Sequence, residues 1–229
     1  MSMQLLIWDF DGTLAFRDGM WSGTLCEAAA ELFPERPLGV SEVRPFLTSG
    51  FPWHEPLVSR KPEHPDHWWE RLHPLFSAAY RGVGFDEMAA ATLAASVRRH
   101  FLDVRRWRLF EDTLPTLDAL RWSGWRQVIL SNHVPELEDL VSALGLNSYI
   151  ERVFCSALTG YEKPHPEAFN IVQRAYPCAA DVVMVGDSLE SDVWGAKRAG
   201  IRAIRVRCND DDEGASASNL AGLIRMLCK

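Results

Sequence analysis

None of the five cysteines (Cys26, Cys155, Cys178, Cys208, Cys228) stands in a Cys-x-x-Cys pair, and their number is odd. That excludes the usual zinc-ribbon and dithiol patterns and reads as reduced, mostly packed thiols. No uninterrupted apolar run approaches the roughly 18 residues needed to cross a bilayer, and no charged-then-apolar leader opens the chain. The expectation is a cytoplasmic protein with no membrane partner. Basic clusters are scarce as well. Twenty-four Lys and Arg face 31 Asp and Glu for a net charge of −7, and Arg98-Arg99 and Arg105-Arg106 are the only adjacent arginines. A phosphate backbone demands clustered cations, so nucleic acid is excluded as the main partner. Internal repeats and low-complexity segments are absent. His54, His64, His67 and His73 fall at spacings that fit no common zinc-ligand pattern.

What is present is a sizeable potential core, with 47% apolar residues in 229. The run Leu5-Leu6-Ile7-Trp8 does not alternate, which suits a strand buried on both faces at the centre of a parallel sheet. It runs into Asp9-Phe10-Asp11-Gly12-Thr13-Leu14, where Gly12 permits a sharp turn. Helical spacing then dominates for about ninety residues. Helices are expected from Trp21 to Phe33, from a Ser41 cap to Leu47, from an Asp66 cap with Pro74 ending or kinking it, and from an Asp86 cap to Phe101. The last carries a stripe of Met88, Leu93, Ala94 and Val97. The Pro-rich stretch Phe51–Asp66 reads as a loop.

From about Phe110 helices and strands alternate. Strands are expected at Arg126–Leu130, Val153–Cys155, Val182–Val185 and Arg202–Val206. Helices are expected at Thr113–Ser123, Pro135–Leu144, Pro166–Tyr176, Leu189–Ala199 and from Asn219, the last reached through an acidic loop, Asp210–Glu213. This rhythm predicts an α/β fold with a doubly wound parallel sheet. Trp8, Trp122 and Trp125 border core elements and are expected to pack. Trp53, Trp68 and Trp69 are less obviously core, and Cys155 reads as buried packing.

The polar residues line up by position. Asp9 and Asp11 follow the first strand, Ser131-Asn132 the second, Lys163 the third and Asp187 the fourth. In a parallel sheet those carboxyl ends share one edge, so the residues converge in one cleft. Three carboxylates there repel one another unless a cation neutralises them. An all-oxygen set without His or Cys points to Mg²⁺ and a phosphorylated substrate. One carboxylate can attack phosphorus, a second can serve as acid and base, and Lys163 with the Ser131 hydroxyl can bind phosphoryl oxygens. Gly12, Thr13 and Asn132 are further phosphate-binding candidates, and His133 lies near the cleft.

Four signatures in order, Asp9-Phe10-Asp11-Gly12-Thr13-Leu14, Ser131-Asn132, Lys163-Pro164 and Gly186-Asp187-Ser188 with Asp192 beyond, make the chain resemble the haloacid dehalogenase-like (HAD) superfamily of phosphohydrolases. The resemblance implies Asp9 as nucleophile, Asp11 as general acid/base, and Mg²⁺ held by Asp9, the Asp11 carbonyl and Asp187. It implies strands ordered 5-4-1-2-3 by chain position. It also implies a Rossmann-like catalytic core of residues 1–15 and 108–229 with an α-helical cap of residues 16–107. Asp192 resembles a residue that orients Lys163, with Ser188 beside it. Asp11 sets the chain apart from the metal-independent dehalogenases and implies an Mg²⁺-dependent phosphatase for a small metabolite. A mutase of the β-phosphoglucomutase type and an inactive HAD-fold binding protein remain as alternatives. In the cap loop, Trp53, His54 and Arg60 are the substrate-contact candidates. Oligomeric state is not legible.

Overall fold

The computed structural model describes residues 3–62, 64–208 and 215–228. The chain divides into two compact units, one of Met1–Phe16, Pro56–Pro62 and Arg108–Lys229, the other of Arg17–Glu55 and Glu63–Trp107.

The first unit is built on β1 (Met3–Trp8), whose Leu5, Leu6, Ile7 and Trp8 are all fully buried. A strand covered on both faces needs neighbours on both edges and helices above and below. The remaining strands of the sheet are β4 (Trp125–Ser131), β5 (Arg152–Cys155), β6 (Ala179–Gly186), β7 (Arg202–Val206) and β8 (Ser216–Ala217). They run in the order β5-β4-β1-β6-β7-β8, all parallel, which is the expected five-strand order extended by one short edge strand. β2 (Ala15–Arg17) and β3 (Trp107–Leu109) form a separate two-stranded ribbon that the sequence pattern did not announce; three residues are too few to show a period.

On one face of the sheet Leu5, Ile7, Val128, Leu130 and Met184 pack with Phe169 and Val172 of α8 (Pro166–Ala175). Each fully buried aliphatic or aromatic side chain of this kind contributes about 1.5–3 kcal/mol. Buried polar atoms in the sheet are paired: Trp8 Nε1 donates to Gln127 Oε1 at 3.1 Å, and Gln127 Nε2 donates to the Leu117 carbonyl at 2.9 Å. Leu117 belongs to α5 (Thr113–Trp122). At the end of α5, Trp122 is 84% exposed and does not pack as expected, because its position falls on the solvent side of the helix; Trp8 and Trp125 are buried. The smaller helices of this unit are α6 (Leu137–Ala143), α7 (Ser156–Thr159), α9 (Gly195–Arg198) and α10 (Ala221–Leu227). Pro56–Pro62 groups with this unit although it lies within the expected insertion. Its Arg60 N–H donates to the Gly160 carbonyl at 2.9 Å, and only a glycine fits there, since a Cβ would stand 1.9 Å from the Arg60 oxygen. The acidic loop Asp210–Glu213 lies outside the described residues.

The second unit contains α1 (Met20–Leu32), α2 (Val40–Val43), α3 (Pro65–Gly82) and α4 (Glu87–Phe101). Its centre is aromatic: Trp21 stacks on Phe101 at 4.1 Å between ring centroids and on Phe76 at 5.6 Å. Trp68 and Trp69 are buried core residues here. Three details differ from the sequence pattern. α2 is capped by Gly39, whose N–H donates to Glu42 Oε2 at 2.7 Å, rather than by Ser41. α3 is capped by His64, whose Nδ1 accepts from the Asp66 N–H at 3.3 Å, and Pro65 takes the first helical position, where its missing N–H costs nothing. The helix also continues through Pro74. One lost backbone bond, about 3 kcal/mol, is outweighed by burial of Trp69, Leu72, Phe76, Ala79 and Tyr80 along the same face. In α4 the Asp86 cap forms as expected, its Oδ1 accepting from the Ala89 N–H at 2.8 Å, but Met88 is 80% exposed and Ala90 takes its place in the stripe.

Candidate active site

β1 delivers Asp9 at its carboxyl end, still tied to the sheet by its N–H, which donates to the Val185 carbonyl at 2.9 Å. The chain then turns at Gly12, which has φ +77° and no room for a side chain: a Cβ would sit 2.6 Å from Asp187 Oδ2. Asp9 is buried, and three groups from three different strand ends or turns converge on its carboxylate. Ser131 Oγ donates to Oδ1 at 3.0 Å, Lys163 Nζ donates to Oδ1 at 2.7 Å, and Thr13 Oγ1 donates to Oδ2 at 3.2 Å.

Lys163 is buried between two carboxylates, with Asp192 Oδ1 at 2.6 Å on its other side. Burial works against its charge, but Asp192 and Asp9 outweigh it and hold the ammonium protonated. Asp192 reaches this position because the segment Leu189–Trp194 winds as a wider π-turn, not as the regular helix expected, with the Val193 N–H donating to the Ser188 carbonyl. Its second oxygen accepts from the Ser188 N–H at 3.0 Å. Gly186 clears the space: a Cβ there would lie 2.1 Å from Asp192 Oδ2.

Asn132, Gly12 and Thr13 make their hydrogen bonds within the protein, and Gly12 makes the expected turn. The Asn132 side chain grips the Lys163 backbone, donating to its carbonyl at 2.8 Å and accepting from its N–H at 2.6 Å. The N–H groups of Gly12 and Thr13 are engaged within the turn by the Ala15 and Phe10 carbonyls. Asn132 thus places Lys163, and Thr13 orients Asp9 through its hydroxyl. Two arginines that sequence reasoning missed brace the surrounding backbone. Arg205 Nε donates to the Asp187 carbonyl at 3.1 Å, and Arg207 Nη2 donates to the Thr13 carbonyl at 3.0 Å while pairing with Asp112. Their two-residue spacing at the end of β7, next to the site edge, was the available signal.

Asp9, Asp187 and Asp192 each bring an oxygen within 4.8 Å of the others. Both Asp192 oxygens accept from Lys163 and Ser188, and both Asp9 oxygens accept from Ser131, Lys163 and Thr13, so a cation held here would share these carboxylates with those donors. Burial and the neighbouring Asp9 push Asp187 up to about 6, and burial, Asp9 and Asp187 raise Asp11 well above the usual carboxylate range. Asp11 Oδ1 is buried without a hydrogen-bond partner among the described residues. Carboxylates so crowded, with unsatisfied oxygen and no nitrogen or sulfur ligand among them, suit a hard divalent ion such as Mg²⁺.

Of the remaining candidates, Trp53 is half-buried against Phe51, with ring centroids 4.7 Å apart, and His54 Nδ1 accepts from the Phe51 N–H. Both belong to the helical unit, whereas Arg60 belongs to the sheet unit. Cys155 is buried, with its thiol pushed up to about 12 by burial, and is inert packing.

A family model of haloacid dehalogenase-like hydrolases matches residues 3–200, and the chain belongs to that family. Among curated relatives, a glyceraldehyde 3-phosphate phosphatase of Methanopyrus kandleri is 31% identical over 61% of this chain and 65% of its own length. A phosphoserine phosphatase of Thermus thermophilus is 37% identical over 46% of this chain and 43% of its own. The chain thus spans between less than half and about two thirds of the relatives it matches. A solved putative HAD-hydrolase of Bacillus subtilis, bound to magnesium, shares the fold with a TM-score of 0.74 at 22% identity, covering 99% of both chains. The L-2-haloacid dehalogenase of Xanthobacter autotrophicus shares it with a TM-score of 0.69 at 20% identity, covering 98% of both. Among the described residues no helix is long and apolar enough to cross a membrane.

Proposed function

We propose that this protein is an Mg²⁺-dependent phosphatase that hydrolyses a small phosphorylated metabolite through an aspartyl phosphate on Asp9. The carrying observation is the convergence of Ser131, Thr13 and Lys163 on one buried carboxylate, beside Asp11 and Asp187. Three donors fix the rotamer of Asp9, so one oxygen can be presented to phosphorus at little ordering cost. Asp9 attacks, the bond to the leaving oxygen breaks, and the Asp11 carboxyl group supplies the proton that oxygen needs. Asp11, now ionised, takes a proton from water, which attacks the acyl phosphate and frees Asp9 and inorganic phosphate. Lys163 and Ser131 transfer their hydrogen bonds from Asp9 to the phosphoryl oxygens as charge spreads there. Mg²⁺, held by Asp9, Asp187 and the Asp11 carbonyl, would neutralise the carboxylates so that an anionic substrate can approach.

The presence of Asp11 favours phosphoryl over carbon–halogen chemistry, and the names of the curated relatives point to small phosphomonoesters. The helical unit is proposed as the cap that selects the substrate. It offers a cavity of about 370 Å³ lined by Trp21, Arg44, Phe51, Trp53 and His54, suited to the part of the substrate that is not phosphate. The test is phosphate release from a panel of phosphorylated metabolites, with Mg²⁺ and after exhaustive chelation. The proposal expects release that requires the metal and vanishes in Asp9→Asn; undiminished turnover after chelation would sink it.

A further inference from the structure

The residue after Ser131-Asn132 is His133, one of the most buried polar side chains in the protein. It is locked from every side. Its N–H donates to Ser156 Oγ at 3.2 Å, the Cys155 thiol donates to its carbonyl at 3.3 Å, and Phe10 meets its ring edge-on with centroids 5.6 Å apart. Nδ1 stands 3.3 Å from the Val134 carbonyl, an acceptor only, so Nδ1 carries a proton. Nε2, at the other corner of the ring, lies 3.7 Å from Asp11 Oδ1.

The phosphatase mechanism above does not use this histidine. It nevertheless faces the group whose placement that mechanism depends on, and Asp11 Oδ1 has no other partner among the described residues. From this geometry we infer that His133 is a positioning residue for Asp11, its Nε2 pairing with the Asp11 carboxyl group and holding it toward the leaving-group oxygen. The inference rests on the phosphatase reading. A gap of 3.7 Å is longer than a hydrogen bond, and such contacts tighten when the substrate is bound. The alternative is that the ring only fills space beneath Phe10.

Leaving groups separate the two. An alkyl phosphate departs as a basic alkoxide and needs the proton from Asp11, whereas p-nitrophenyl phosphate leaves almost unaided. Three substitutions separate shape from polarity. His133→Gln places a polar atom near Nε2, His133→Asn reaches only as far as Nδ1, and His133→Phe keeps the volume without a polar group. Each is assayed for kcat/KM on the best alkyl phosphate and on p-nitrophenyl phosphate, beside wild type and Asp11→Asn, with thermal melting as the check on folding. The expected result is a loss of about 10- to 100-fold on the alkyl ester in the Asn and Phe variants. The aryl ester should lose much less, and the Gln variant should be largely rescued on both. Equal losses on both esters, Gln no better than Asn, or Phe at wild-type activity would each overturn the inference. A wild type inactive on both esters would instead overturn the phosphatase reading, and the inference with it.

Discussion

Lys163 is the residue on which the electrostatics of the site turn. Among the described residues it is the only cation bonded to Asp9, and two buried carboxylates touch it. Lys163→Met should therefore abolish activity and also destabilise the fold, by about 3–5 kcal/mol, because it leaves Asp9 and Asp192 buried without a counter-charge. Urea unfolding monitored by fluorescence measures this; unchanged stability would mean the pair is solvated. Gly12 makes a sterically based prediction. Gly12→Ala places a Cβ 2.6 Å from Asp187 Oδ2 at φ +77°, so it should cost about 1–3 kcal/mol and depress turnover by displacing Asp187. At this scale the sequence was most readable. Asp9, Ser131 and Asp187 close or directly follow apolar runs, and a parallel sheet gathers what stands at its strand ends; Lys163 comes to the same edge from a loop beyond α7. The partners of those residues were not readable, since whether Asn132 bonds an anion or the Lys163 backbone depends on a turn 31 positions away.

Among the elements, the five central strands were legible because buried strands leave a continuous apolar signature, although β6 runs from Ala179 to Gly186 rather than Val182 to Val185, and the short β2, β3 and β8 were not seen. Helix boundaries and local winding were less visible. The π-turn over Leu189–Trp194 answers to Gly186 and Asp192 packing, a tertiary demand with no local period. Trp122 looked like core because a tryptophan beside a buried strand usually is; at 84% exposed it should tolerate Trp122→Ser within about 0.5 kcal/mol by thermal melting. The junction of α5, β7 and α10 makes a pH prediction. Burial raises the Asp112 carboxyl, but bonds from Arg207 and the Leu220 N–H prevail and hold it below the usual carboxylate range. A carboxyl lowered in the folded state stabilises fully above its unfolded value, about 3.9. That stabilisation fades as pH falls through the folded value. Asp112→Asn should thus be less stable than wild type at neutral pH, with the difference shrinking as the solution is acidified below about pH 4. A difference that stays constant through that range would remove the assigned charge role.

For the whole molecule, a parallel sheet places one carboxylate at the centre of a preformed set of donors. The claim that follows is that Asp9 carries the phosphoryl group between substrate and water. The helical periods between Leu14 and Phe110 were legible, but the aromatic centre of the second unit was not, because Trp21, Phe76 and Phe101 meet only after three helices have packed. The most direct measurement is a rapid-quench turnover of a labelled phosphomonoester with Mg²⁺, followed by peptide mapping of the acid-trapped protein. The account predicts label on Asp9 alone, enriched in Asp11→Asn and absent from Asp9→Asn. Label on any other side chain, or sustained phosphate release from Asp9→Asn, would contradict it.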